Sequence, residues 1–380
     1  TEQGRQSASL CSEGQRRDQS RVRQWRLNVP DSLSAAGASP FRSYRFPAEW
    51  EPCEAVWLAW PHNRETWPGH FEPVPAAFAR FVRAIHESTP VRILAAGLVA
   101  EDCRMHLQEI GLVESDSLRI VDIPTNDCWI RDYGPTFVFG PGCEKIAVDW
   151  RFNAWGGKYE PFDSDAAAGA EIAKIAGLKR LDGGLTMEGG ALETDGAGRL
   201  LVNPECLLDP ARNPGVSKEQ VSQRLNQCLG VEEIVWIDGG APAGDDTDGH
   251  IDQIARFLDL ENVVCAVASC EDDENYPGLE ANYRKLRLWS RQTDPVVTIH
   301  RLPTPPPRKV DGAAVPQSYC NFLRLGMDRM LVPTFRSPDS DQHALALLRE
   351  LCPGVEVVGV DCFDIAWGLG ALHCASCRGI

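Results

Sequence analysis

One order of elements recurs along this chain, and it restricts the fold more than any single motif does. In "SYCNFLRLGMDRMLVPTF…SDQHALALLRELCPGVEVVGVD" two short strands (318–325 and 328–335) precede a helix (about 339–351) and a third strand (355–361), which makes a β-β-α-β unit. The same order is legible in "LTMEGGALETDGAGRLLVNPEC", where DGAG joins two strands, followed by a helix opened at Ser217 by the capping box "SKEQ" and then by "VEEIVWID". It returns in "GHIDQIARFLDLENVVCAVAS", a helix near 279–291 and "VVTIHRL". It returns again in "PTFVF", "KIAVDWRF" and a helix over 165–177, although the closing strand there is weakly patterned.

The first stretch has only part of the unit. "AVWLAW" leads to "VPAAFARFVRAIHE", which sets Val74, Ala77, Phe78, Phe81, Val82 and Ile85 on one helical face, and then to "VRILAAG". No strand precedes it, while the final "GALHCAS" is a strand with no unit after it. If the last strand completes the first unit, the chain closes into a ring of five. That closure carries Cys374 from the end of the chain, where fraying is the rule, into the middle of the structure.

Polar residues recur at equivalent places on this repeat. Just before or at the first strand of successive units stand "NDCWIRDYGP" with Asp132, "MEGGALETD" with Glu188, "DTDGHID" with His250 and Asp252, and "SYCNF" with Asn321, while "LHC" puts Cys374 in the closing strand. Each has a bland alternative. Asp132 could pair with Arg131 on a turn, Glu188 could mark a bend before two glycines, His250 could be a satisfied loop histidine, and Cys374 an ordinary packing thiol. Together they point to one centre. "GHID", read as a strand, turns His250 and Asp252 to one face, which is costly in an apolar run unless that face lines a site.

Composition narrows the class. With 380 residues and 43% hydrophobic content the chain can bury a large core. Its formal charge of −16 disfavours nucleic-acid and anionic-membrane partners and favours cationic ligands. Residues 1–40 are polar, lack apolar periodicity and carry six Arg against four acids, so they are expected to be a disordered extension ahead of a domain over 41–380. No apolar run reaches membrane-spanning length and no secretory signal is evident, which makes the cytoplasm the expected location. Fourteen irregularly spaced Cys read as reduced thiols rather than a disulfide framework.

In order along the chain, "FPAEWEPCEAVWLAWPHN", "NDCWIRDYGPTF", "WRFNAWGGKY", "EGGALETDG", "TDGHID", "SYCNF" and "GALHC" resemble the agmatine deiminase family, within the guanidine-modifying group that includes peptidylarginine and arginine deiminases. The resemblance runs from about Phe41 to Cys374. It implies a five-bladed α/β propeller of ββαβ units, with pseudo-fivefold symmetry around a central active site. It also implies conversion of agmatine and water to N-carbamoylputrescine and ammonia without a cofactor or metal, and a homodimer. The stretch "WGLGALHC" departs from the family's Gly-rich pattern at Leu369 and Ala371, and "ASCRGI" replaces its usual tail.

The residue types suit that chemistry. A guanidinium is a poor electrophile, so a site must fix its geometry and localise its charge; Asp132 and Asp252 would do so as bidentate acceptors, with Glu188 orienting His250. Cys374 would attack as thiolate, and His250 would protonate departing ammonia and then deprotonate the attacking water. Trp129 would wall the cation and Asn321 would support the site. Other readings remain: a zinc site from His373, Cys374 and Cys377, a calcium loop in the acidic run 238–249, a non-catalytic guanidine-binding homologue, or a deiminase acting on free or peptidyl arginine.

Overall fold

The computed structural model describes residues 44–380; the extension expected over residues 1–40 lies outside the described residues. Strands follow the chain as β1 (Ala55–Ala59), β2 (Val91–Leu94), β3 (Leu118–Val121), β4 (Thr136–Phe139), β5 (Lys145–Arg151), β6 (Lys179–Thr186), β7 (Glu193–Thr194), β8 (Arg199–Val202) and β9 (Glu233–Trp236). They continue as β10 (Ala255–Phe257), β11 (Asn262–Val267), β12 (Thr298–Pro303), β13 (Arg308–Val310), β14 (Ala313–Val315), β15 (Leu323–Leu325), β16 (Arg329–Thr334), β17 (Glu356–Asp361) and β18 (Ser376–Gly379). Four sheets, β4-β5-β6, β7-β8-β9, β10-β11-β12 and β15-β16-β17, each pair the first strand antiparallel and the third parallel to the middle one.

A parallel pair needs a crossover, and long helices supply it. They are α1 (Val74–His86) between β1 and β2, α2 (Gly97–Glu109) between β2 and β3, α3 (Asp163–Ile175), α4 (Lys218–Leu229), α5 (Tyr276–Ser290) and α6 (Pro338–Leu351). The buried face of α1 includes all six residues expected from its periodicity. The capping box at Ser217 is complete: its hydroxyl accepts from the Gln220 amide, and the Gln220 side chain accepts from the Ser217 amide.

The fifth sheet joins the two ends of the described chain. β18 runs antiparallel to β1, with Ala55 opposite Gly379 and Leu58 opposite Ser376, and β2 and β3 extend the other side. Segments 126–135, 187–192, 245–254, 316–322 and 364–375 therefore each run into the antiparallel first strand of a sheet. Their polar groups are outside the strand ladders and are free to bond one another.

Several details differ from expectation. Residues 251–253 form a 3₁₀ turn capped by His250, not a strand, so the two-residue alternation does not account for the orientation of His250 and Asp252. β15 begins only at Leu323, leaving Asn321 in the preceding turn, and Cys374 sits in a turn ahead of β18 rather than within the strand. The crossover α2, strand β3 and the hairpin β13–β14 were not anticipated. The hairpin has a local signal, since Asp311 and Gly312 both take positive φ, 50° and 86°, as an Asp-Gly turn between two-residue-loop strands requires. Among the described residues no helix is long and apolar enough to cross a membrane.

Candidate active site

Cys374 is 5% exposed and is held from three directions. Asn321 donates from Nδ2 to its Sγ at 3.1 Å and accepts at Oδ1 from the amides of His373 (3.0 Å) and Cys374 (3.3 Å), which fixes the turn that presents the thiol. Asp252 Oδ2 lies 3.6 Å from the sulfur. Burial pushes the thiol well above its usual range, Asp252 and Asp132 add to this by repulsion, and the Asn321 hydrogen bond works the other way.

His250 is fully buried between two acids, with Nδ1 3.5 Å from Asp132 Oδ1 and Nε2 3.5 Å from Glu188 Oε2. These are long ion-pair contacts rather than close hydrogen bonds, and among the described residues neither ring nitrogen has a hydrogen-bond partner. Burial alone would depress the imidazole; Asp132, Cys206 and Glu188 together hold it well above the usual histidine range. Asp132 accepts from Trp155 Nε1 at 2.9 Å and from the Gly190 amide at 3.1 Å, and it does not pair with Arg131. Burial, partly offset by His250 and reinforced by Asp252 and Glu188, pushes its carboxyl up to about 6. Glycine is needed at 190 because a Cβ there would lie 2.6 Å from His250 Nδ1, 2.7 Å from Asp132 Oδ1 and 3.2 Å from Asp252 Oδ2. Three loops thus meet at one point.

Glu188 is gripped by the fully buried Arg212, whose Nε lies 2.9 and 3.0 Å from its two oxygens. With Cys206 and His250 it forms a set of possible metal ligands within 4.8 Å of one another. An ion there would have to displace Arg212. Asp252 accepts from His373 Nδ1 at 2.7 Å on Oδ2, while its Oδ1 is buried without a partner. Burial would raise this carboxyl, but His373, His250 and Arg256 bring it below the ordinary range.

The structure brings the expected residues Cys374, His250, Asp132, Asp252, Glu188 and Asn321 together in one cluster. Sequence reasoning missed Trp155 and Arg212, and a second group behind His373. There Glu49 accepts from His373 Nε2 (2.8 Å), Arg131 (3.0 Å) and Arg256 (2.8 Å), and Arg256 also reaches Glu193 (2.8 Å). Glu49, Trp155 and His373 all lie inside motifs already singled out; only their contacts were invisible. The zinc set is not assembled, since both His373 nitrogens face carboxylates and Cys377 Sγ turns to the Pro135 carbonyl at 3.4 Å. The acids of 245–248 are occupied by protein donors: Thr247 and the Gly249 amide on Asp245, Tyr159 on Asp246, Lys158 and Arg212 on Asp248.

A pocket of about 760 Å³ opens over Cys374 and Asp132. Trp129 and Trp367 line it, and Trp129 packs so closely on Gly370 that a Cβ there would lie 2.4 Å from its ring. Among the described residues Glu65, Asp127, Asp132, Glu160, Asp165 and Asp246 border the pocket against one arginine, Arg64, which pairs with Glu72; burial pushes Asp165 up to about 8 and raises Asp127, so the acidic charge rests chiefly on the other four.

Residues 45–378 match the family described as Porphyromonas-type peptidyl-arginine deiminase. An agmatine deiminase of Ectopseudomonas mendocina is 33% identical, with 87% of this chain and 94% of that protein covered. Among solved structures, a Cys-to-Ser variant of the C. jejuni agmatine deiminase with substrate bound is 27% identical, with TM-score 0.79 over 88% of this chain and 96% of that one. The agmatine deiminase of Enterococcus faecalis is 29% identical, with TM-score 0.79 over 90% and 98%.

Proposed function

The chain belongs to the family of Porphyromonas-type peptidyl-arginine deiminases and agmatine deiminases, and from that premise we propose that it hydrolyses agmatine to N-carbamoylputrescine and ammonia. What carries the reading is the acceptor left open beside Cys374: Asp252 Oδ1, buried without a partner where a guanidinium can supply a donor. In this reading Asp132 and Asp252 bracket the guanidinium and aim its carbon at Cys374, with Trp129 as a wall. The bound cation offsets the repulsion that keeps the thiol protonated, so with substrate present the thiol releases its proton to solvent and the thiolate forms. Sγ adds to the guanidinium carbon, His250 gives its proton to the departing ammonia, and an amidino-cysteine remains. His250, now neutral and kept in place by Glu188, takes a proton from water; the hydroxide adds to the same carbon, and collapse expels Cys374 and N-carbamoylputrescine.

Substrate choice follows from charge. Agmatine is a guanidinium with an ammonium at its far end and no carboxylate, and the acidic pocket border suits both ends. Free arginine would bring its carboxylate against that border. We further infer that the described part of the domain expected over 41–380, residues 44–380, is a five-bladed α/β propeller with pseudo-fivefold symmetry about this site. The five equivalent segments running into first strands and the β18–β1 pairing support this. The same reading takes the enzyme as a cytoplasmic homodimer without cofactor, metal, nucleic-acid or membrane partner.

Ammonia release from agmatine, free arginine and a peptidyl arginine, measured side by side on the purified protein, tests the proposal. Agmatine is expected to be turned over with the highest kcat/KM. No turnover of agmatine, or a preference for peptidyl arginine, would overturn it.

A further inference from the structure

His373 is the only described side chain bonded to a carboxylate through each of its two ring nitrogens by a contact under 3 Å: Asp252 Oδ2 at 2.7 Å on Nδ1 and Glu49 Oε1 at 2.8 Å on Nε2. Resting on the deiminase reading above, we propose that Glu49 and His373 are positioning residues for the reaction, acting through Asp252 to aim its free oxygen and keep it ionised. Neither is expected to touch the reacting atoms.

Two acceptors are both satisfied only when both ring nitrogens carry a proton, so the ring sits between the acids as a double donor. One Asp252 oxygen is thereby fixed and the other, Oδ1, is left unpartnered in a fully buried position. A carboxylate anchored through one oxygen has little rotational freedom, and its second oxygen is then pre-aimed at a donor that comes with the substrate. The charges facing Asp252 are His373 and Cys374 from the C-terminal turn, His250 from its own turn, Asp132 from the neighbouring loop and Arg256 from the start of β10. Burial, Asp132 and the developing thiolate all disfavour an ionised Asp252, and among the opposing cations His373 is in direct contact. Glu49 is in turn fixed by Arg131 and Arg256, and Arg131 Nε donates to the His373 carbonyl at 3.2 Å. A rigid ionic cluster therefore stands behind a catalytic carboxylate that would otherwise be loosely held.

Two substitutions separate aim from charge. In His373→Asn the side-chain amide sits where Nδ1 was and can still donate to Asp252; in His373→Gln it sits where Nε2 was and can reach only Glu49. Both lose the positive ring. His373→Gln is expected to lower kcat/KM for agmatine about ten- to hundred-fold at every pH, the scale of one charge-assisted contact. His373→Asn is expected to approach the wild type at high pH, where Asp252 is ionised without help. Toward low pH its kcat/KM should fall with two protons rather than one, because Asp252 now titrates along with Asp132. Glu49→Gln keeps an acceptor for Nε2 and should leave the acid limb at one proton, with a smaller loss of kcat/KM that is out of proportion to any fall in Tm; it serves if a His373 variant does not fold.

Thermal unfolding of each variant is recorded alongside. A purely structural role would give losses that track the fall in Tm, no advantage of Asn over Gln, and a wild-type slope on the acid limb. Either an Asn variant no better than Gln at high pH, or an unchanged acid-limb slope in His373→Asn, overturns the proposal, as does a Glu49→Gln loss no larger than its fall in Tm explains. A wild-type protein that does not turn over agmatine overturns the deiminase reading instead, and the two failures are distinguishable.

Discussion

His373 divides the buried charges at the centre of the molecule into two groups, and they are built on different terms. Behind it, Glu49, Arg131, Arg256 and Glu193 are tied together by contacts of 2.8 to 3.0 Å, and Arg256 also donates to the Cys320 and Phe322 carbonyls. His373, Arg256 and Arg131 overcome the burial of Glu49 and hold it well below the usual carboxylate range; only Glu193, pushed up to about 7 mainly by burial, stands near neutrality. In front, Asp252 Oδ1 and both His250 nitrogens lack close partners, Asp132 is pushed up to about 6 and the Cys374 thiol is raised. Buried charges are tolerable when paired and costly when not. The rear group spends its contacts on the fold, whereas the front leaves them open for a ligand to complete.

The comparison can be broken most directly at the nucleophile. Cys374→Ser should lower turnover by at least about four orders of magnitude while leaving Tm nearly unchanged, and mass spectrometry of the wild type should find the trapped amidino adduct on Cys374. Residual activity of the variant, or an adduct elsewhere, would show that the front group is not the site. At the rear the balance should reverse. Arg256→Met leaves Glu49 and Glu193 short of their cation and should cost about 3–5 kcal/mol of stability by denaturant unfolding. If the variant is as stable as the wild type, the rear network is not what holds the centre together.

Asp132 sharpens the contrast, because there activity and stability should move in opposite directions. Its carboxyl binds a proton more tightly in the folded than in the unfolded protein, so stability falls as pH rises from about 4 to about 6 and stays reduced above that. Asp132→Asn should therefore lower kcat/KM roughly ten- to hundred-fold yet raise stability by about 2 kcal/mol at pH 7.5, with no gain below pH 4. Unfolding curves at the two pH values check the sign. The smallest effect is expected at Cys377, three residues from the nucleophile but turned to the Pro135 carbonyl on the rear side: Cys377→Ser should leave kcat unchanged and alter stability by less than about 1 kcal/mol. A loss of activity there would erase the distinction between the two sides.

What the sequence disclosed follows the same division. The front residues stand in short motifs at repeated positions, so Cys374, His250, Asp132, Asp252 and Glu188 could be named before any contact was known. The β-β-α-β order was legible because strand and helix periods are local. The rear group has no such signal: Glu49 meets His373 across 324 residues, and Arg131 meets the same acid across 82. Nothing near Glu49 in "FPAEWEPC" distinguishes it from a solvated acid. The orientation of His250 and Asp252 was expected for the wrong reason, since a 3₁₀ turn rather than a strand brings both inward. Trp155 was hidden by its backbone. Its φ of 54° and that of Ala154 are left-handed values that residue type would not suggest, and they turn the indole toward Asp132.

The pairing of β18 with β1 has a consequence in time. Ala55 cannot meet Gly379 until nearly the whole described chain has left the ribosome, and at about 5–20 residues per second the sheet built on β1 waits tens of seconds without that partner. Such long-range closure is slow to form, because the loop entropy must be overcome before any contact rewards it. The turn carrying Cys374 emerges with the strand that ends this wait. A nascent chain therefore cannot gather its nucleophile and its acids prematurely, and the appearance of deiminase activity should coincide with the pairing of β18 and β1.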